Sequence, residues 1–278
     1  MFVEPRSVLE GAGVRLKRSI ALPELDYVDP FLLFDHFGSD HPEDYIAGFP
    51  MHPHRGNETV TYVLAGNVTH RDSIGNEGTI GPGDVQWMTA GGGIMHEEMP
   101  GAQQGSMAGF QLWVNLPAKL KMMRPRYQEI TSSQIPEVKR EDGTRIRIIA
   151  GTVDGVQGPV TEIAAEPAYL DVTIPPNGSL RHPISRGQAS FAYLFEGSGR
   201  FATAQGEDRT VAPPHLIVFE DGDYVEIRAA EAGARLLLVS GKPLGEPIAR
   251  YGPFVMNTRE EIRQALRDLQ NGTFVQRT

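Results

Sequence analysis

The chain has no cysteine in its 278 residues. That excludes disulfides, thiolate metal ligands and a cysteine nucleophile. It also lacks an unbroken apolar run of about eighteen residues, so no membrane-spanning helix is expected. Net charge is −9, and no basic cluster tracks a phosphate backbone. Direct nucleic-acid binding is therefore not expected. The start, Met1-Phe2-Val3-Glu4-Pro5-Arg6, lacks a charged-then-apolar leader. A soluble, cytoplasmic protein is expected. Long helical patterns are scarce.

Turn chemistry and short apolar stretches are abundant. There are 31 glycines and 21 prolines, and 40% of residues are hydrophobic. Short strands bounded by turns recur, such as Asp84–Thr89 after Gly81-Pro82-Gly83 and Phe110–Leu116 before Pro117. This spacing predicts an antiparallel barrel or jelly roll. Residues 118–142 read as a crossover. Phe191–Gly199 then resembles Tyr62–Gly66, so the second half reads as a degenerate repeat of the first. Domains are expected at 1–140 and 141–278. One helix stands out. Thr258 and Glu261 form a capping box, Ile262, Ala265, Leu266 and Leu269 share a face, and Gly272 ends it. It is expected to close the second domain and dock on a barrel.

Two short pieces carry the metal chemistry. His52-Pro53-His54 and His96-Glu97-Glu98 each place two donors at i and i+2, which share a face on a strand. Three imidazoles and a carboxylate suit iron, copper, nickel or manganese. They leave neighbouring positions open for water, an enolate or dioxygen. Gly91, Gly92 and Gly93 are expected to let the backbone turn tightly beside the metal. Glu58 shares the parity of His52 and His54 if the strand runs on, and stands as an alternative carboxylate. His36 and His41 lack a donor partner at strand spacing and read as structural. The second half offers only His182 and a lone His215, so no second metal site is expected there.

Several stretches resemble the pirin family, a branch of the cupin superfamily. They are Phe34-Asp35-His36-Phe37-Gly38, Gly48-Phe49-Pro50 with His52-Pro53-His54-Arg55-Gly56, Gly83–Gly91, Gly93-Ile94-Met95-His96, Gln111–Leu116 and Tyr251–Thr258. The resemblance implies an all-β bicupin, two antiparallel double-stranded β-helix barrels with metal only in the N-terminal one. It implies His52, His54, His96 and Glu98 as ligands. Iron(II) is the implied metal, with copper, nickel, manganese, cobalt or zinc as substitutes. Gly48 and His52 stand closer together than in the general cupin pattern, and Glu58 occupies the usual cupin carboxylate position.

The resemblance further implies two functions. One is quercetin 2,3-dioxygenase-type ring opening of a phenol with dioxygen. Glu98 would take the enol proton as catalytic base, and Phe49, Arg55 and Leu112 would line the pocket. Plain core packing for Phe49 and Leu112, and an ion pair for Arg55, remain the alternatives. The other function is a metal- or redox-dependent regulator that binds a protein partner. A metal-dependent isomerase or carbohydrate-binding cupin is a third reading, for which no sugar-stacking aromatic cluster appears. A monomer is expected.

Overall fold

The computed structural model describes residues 1–101, 105–202, 206 and 208–275. Among these the structure is all-β apart from short 3-10 turns and one helix, Arg259–Gln270. That helix is too short to cross a membrane. The chain folds into two compact units. One holds Arg6–Ser132 with Leu244–Thr278, and the other holds Met1–Pro5 with Ser133–Pro243.

These units differ from the expected division at 1–140 and 141–278. The strand Arg126–Ile130 pairs with Val85–Thr89, which carries the crossover well into the first unit. At the other end, Phe2–Val3 pairs with Leu216 and Ile217, and the Met1 ammonium donates to the Val218 carbonyl at 2.8 Å. The C-terminal helix packs in the first unit, where Ile262 and Ala265 join Phe254, Met256, Phe274 and Met95. The capping box forms as its sequence requires. Glu261 N donates to Thr258 Oγ1 at 3.2 Å, and Thr258 N donates to Glu261 Oε2 at 2.8 Å. Such a cap stabilises the helix by about 1 kcal/mol.

The first unit has two large antiparallel sheets and a small hairpin, Ala249–Tyr251 with Phe254–Met256. The seven-stranded sheet runs Arg126–Ile130, Val85–Thr89, Asn57–Ala65, Met107–Asn115, Phe31–Ser39, Val14–Ile20, Arg6–Glu10. The four-stranded sheet runs Phe49–His54, Ile94–Pro100, Val68–Asp72, Glu77–Ile80. Arg55 and Gly56 separate the strand ending at His54 from the strand beginning at Asn57, so the two lie in different sheets. Gly56 has φ +83°, and a Cβ there would sit 2.0 Å from the Val255 carbonyl oxygen. Only glycine fits both demands.

The second unit is built on a nine-stranded sheet with long central strands Ala189–Ala202 and Tyr224–Gly241. Its interior is aliphatic and aromatic, with Leu170, Val172, Leu194, Phe201, Leu236 and Leu238 among the buried side chains.

Candidate metal centre

The strands Phe49–His54 and Ile94–Pro100 lie side by side, with His52 opposite His96 and His54 opposite Ile94. A bulge between His96 and Glu98 shifts the register on this side, whereas the other edge of the strand pairs regularly with Val68–Asp72. His96 and Glu98 keep the same face, as i, i+2 residues must.

Among the described residues, donor nitrogens of His52, His54 and His96 come within 4.8 Å of one another. The Nε2 atoms of His52 and His54 are 3.1 Å apart. The rings of His52 and His96 have centroids 4.4 Å apart. The His52 Nδ1 lies 2.9 Å from the Pro50 carbonyl. Donation there puts the proton on Nδ1 and leaves the Nε2 lone pair for a cation. His96 is fully buried, and neither ring nitrogen has a protein partner. Leaving such a group bare costs about 1–3 kcal/mol. Burial, then the neighbouring His96 and His52 rings, hold the His54 imidazole well below its usual range. Burial, then His52 and His70, do the same for His96. Neutral imidazoles with converging lone pairs fit a first-row transition metal, whose M–N bonds run about 2.0–2.1 Å.

Glu98 is 7% exposed and does not fall within the histidine cluster. Its Oε1 accepts from Thr61 Oγ1 at 2.9 Å, and the same hydroxyl lies 3.1 Å from Gln111 Oε1. One hydroxyl proton cannot serve both oxygens. With the Gln111 amide turned over, its NH2 donates to Thr61, and Thr61 donates to Glu98.

Glu58 faces elsewhere. Thr61 meets Glu98, so Glu58, three residues earlier on the same strand, points to the opposite face with Val60 and Tyr62. Its carboxylate accepts from Thr89 Oγ1 at 2.7 Å. Burial raises its pKa. The parity argument that linked it to His52 and His54 fails because Arg55-Gly56 breaks the strand.

His52 and His54 open onto a cavity of about 980 Å³ in the first unit. His52, His54 and Glu98 stand in its wall beside Phe49, Gln111 and Trp113. Of the expected pocket residues, Phe49 lines the cavity, with its ring 6.4 Å from that of His52. Leu112 does not. It is fully buried on the sheet face opposite Gln111 and Trp113. Arg55 does not either. Its Nη1 donates to Asp268 at 2.7 Å, its Nη2 donates to the Phe274 carbonyl at 3.2 Å, and the guanidinium lies over the Phe274 ring. The structural alternatives for Leu112 and Arg55 hold. The glycine run also acts differently from expectation. A Cβ on Gly93 would lie 2.4 Å from the Phe274 carbonyl oxygen, so the close approach is to the C-terminal arm.

The pirin profile matches residues 13–114, and the pirin C-terminal cupin domain profile matches 169–275. A protein of Pseudomonas aeruginosa named “Putative quercetin 2,3-dioxygenase” is 47% identical, over 95% of this chain and 93% of that one. The chain belongs to the pirin family. Human Pirin is 42% identical over 96% of this chain and 90% of its own. Among solved structures, quercetin 2,3-dioxygenase from Acinetobacter baumannii superposes with a TM-score of 0.88 at 33% identity, covering 99% of this chain and 96% of that one. A nickel(II) complex of the Escherichia coli pirin YhhW superposes at 0.66 with 18% identity, covering 87% of this chain and 98% of that one, which shows the shared fold alone.

The pirin site includes residues that strand spacing does not reveal. Thr61 and Gln111 come from neighbouring strands of the other sheet, paired directly in register. Trp113 meets the His54 ring edge-on at 5.0 Å, and the Arg250 guanidinium lies 5.2 Å from the Trp113 ring centroid. Lys121, 1% exposed, donates to the Gly56 and Val255 carbonyls at 2.8 Å each and to Asn115 Oδ1 at 2.6 Å. A lysine in a crossover carries no sequence signal for such a post. His36 and His41 stay outside the triad. His36 packs on Phe110, and His41 is exposed.

Proposed function

We propose that this pirin opens the ring of a flavonol-like phenol with dioxygen, as a metal-dependent dioxygenase. The observation that carries the reading is the histidine triad, of which His52 and His54 stand in the wall of a cavity that also presents Glu98. The cavity volume of about 980 Å³ falls at the upper end of small-molecule sites. Relatives and a structural neighbour that carry quercetin 2,3-dioxygenase names support the same substrate class.

His52, His54 and His96, with Glu98 as a fourth donor, are the residues that would hold the metal, with iron(II) first and copper, nickel, manganese, cobalt or zinc as substitutes. When bound, it supplies positive charge beside a substrate oxygen and a template for dioxygen. The chain does the rest. Phe49 and Trp113 offer apolar surface to a flat ring. Thr61 holds Oε1 of Glu98, which leaves Oε2 to take the enol proton as general base. The chain acts as a monomer in the cytoplasm.

Oxygen uptake with quercetin as substrate tests this reading. Stoichiometric consumption is expected, with His54→Ala losing bound metal and ring opening together. Turnover retained in a metal-free variant refutes the mechanism. Bound metal with no uptake over a panel of phenols favours the regulator that binds a protein partner.

A further inference from the structure

A second, much smaller hole of about 30 Å³ lies against the metal site on the far side of Phe49. Phe37, Phe49, Glu98 and Gln111 line both spaces, so the hole and the large cavity share a wall. Its remaining walls are Val14, Val68, Met107, Pro100, Tyr45 and Thr61. Val14, Val68, Met107 and Tyr45 are all buried. They come from strands of both sheets and the turn before the His52 strand.

The chemistry of this hole selects its occupant. A water molecule needs two to four polar partners. Glu98 and Gln111 stand in the wall, but polar atoms contribute almost nothing to the surface of the hole. Thr61 Oγ1 is bonded to Glu98 Oε1 and lies against Gln111. The Tyr45 hydroxyl donates to the Gly105 carbonyl at 2.6 Å. The surface left is almost wholly hydrocarbon and a thioether. The space exceeds the roughly 10–15 Å³ that one small molecule needs. It is far too small for a ring. An apolar diatomic fits both the volume and the lining.

We infer that this hole is a dioxygen site, separate from the organic pocket, from which the gas reaches the metal past Thr61 and Glu98. The inference rests on the dioxygenase reading for its use of the gas, but the cavity itself does not depend on turnover. A phenol seated in the large cavity crowds the side walled by Phe49 and Trp113. Dioxygen held behind Phe49 is already within the protein when that happens.

Xenon is the probe, since it enters dry apolar cavities where bound dioxygen is hard to see. Crystals pressurised with xenon should show one atom between Val14, Phe37, Val68 and Met107. No density there overturns the site. Val68→Phe fills the space and should abolish the xenon peak. It should also raise the KM for dioxygen by about threefold or more while the KM for quercetin stays put. Met107→Ala enlarges the space and should raise xenon occupancy, which covers the case where the phenylalanine variant does not fold. A lost xenon peak with unchanged KM for dioxygen overturns the delivery role. Xenon bound in a protein that consumes no oxygen with any phenol would sink the dioxygenase reading while leaving an apolar gas site in place.

Discussion

Thr61 reaches from the seven-stranded sheet to the Glu98 carboxylate on the other sheet. Thr61→Val keeps the shape and removes the donor. Removing an outer partner of a metal-site residue typically costs about 10–100-fold in metal affinity or activity. That loss is expected, and metal titration alongside kcat will show which of the two moves. His36 offers a pH signature away from the metal. Burial, then the charge of Lys17, hold its imidazole down to about 4, against about 6.5 for a free histidine. The unfolded chain binds a proton below about pH 6.5 that the folded chain refuses until about pH 4. Its contribution is therefore fully present above pH 6.5 and lost as pH falls toward 4, by an amount on the order of 2–3 kcal/mol. His36→Gln should flatten the denaturation midpoint between pH 6.5 and 4. An unchanged slope would show that other groups set the acid lability.

The C-terminal helix acts on the site through one side chain next to a ligand. Arg55 follows His54 and bonds Asp268 of the helix at 2.7 Å and the Phe274 carbonyl beyond it. On the other side of the helix contact, Met95 precedes His96 and packs in the same apolar cluster as Ile262 and Ala265. The helix thus braces both ligand strands. Arg55→Ala breaks the ion pair of Asp268, which keeps the Gln264 amide as donor, and empties a buried site beside Phe274. A loss of about 3 kcal/mol is expected by urea denaturation, in line with broken buried pairs. Weaker metal retention should accompany it. A variant with full stability would mean that apolar packing alone holds the helix.

The two ends of the chain are exchanged between the units: residues 1–5 belong with the later barrel, and 244–278 with the earlier one. The profile for the C-terminal cupin domain runs to residue 275, well past the point where the chain leaves that unit. A fragment cut at residue 140 therefore lacks the arm that Lys121 and Arg55 bind. The buried Lys121 ammonium would lose the Val255 carbonyl, and Arg55 would lose Asp268. Expressed alone, residues 1–140 should fail to give a cooperative thermal transition or to hold metal. A fragment with both would show that the arm is dispensable.

The sequence by itself determined the elements and the donors. Strand-length apolar stretches set off by turns, a helix with its capping box, and histidines at i, i+2 are local patterns, because strand pleat and helix period act over a few residues. The repeat of β-rich halves and the three histidines were legible for the same reason. Only the tertiary structure decided which residues meet. Glu58 parts from His52 and His54 at Arg55-Gly56, where the next strand enters a different sheet and its side chains change face. The Arg55 and Leu112 pocket assignments failed because residues near a ligand in sequence can face the other side of a sheet or grip a segment more than 200 residues away. Thr61 and Gln111 reach the site through pairing between distant strands, Lys121 bonds beside it from a turn, and no spacing along the chain encodes either.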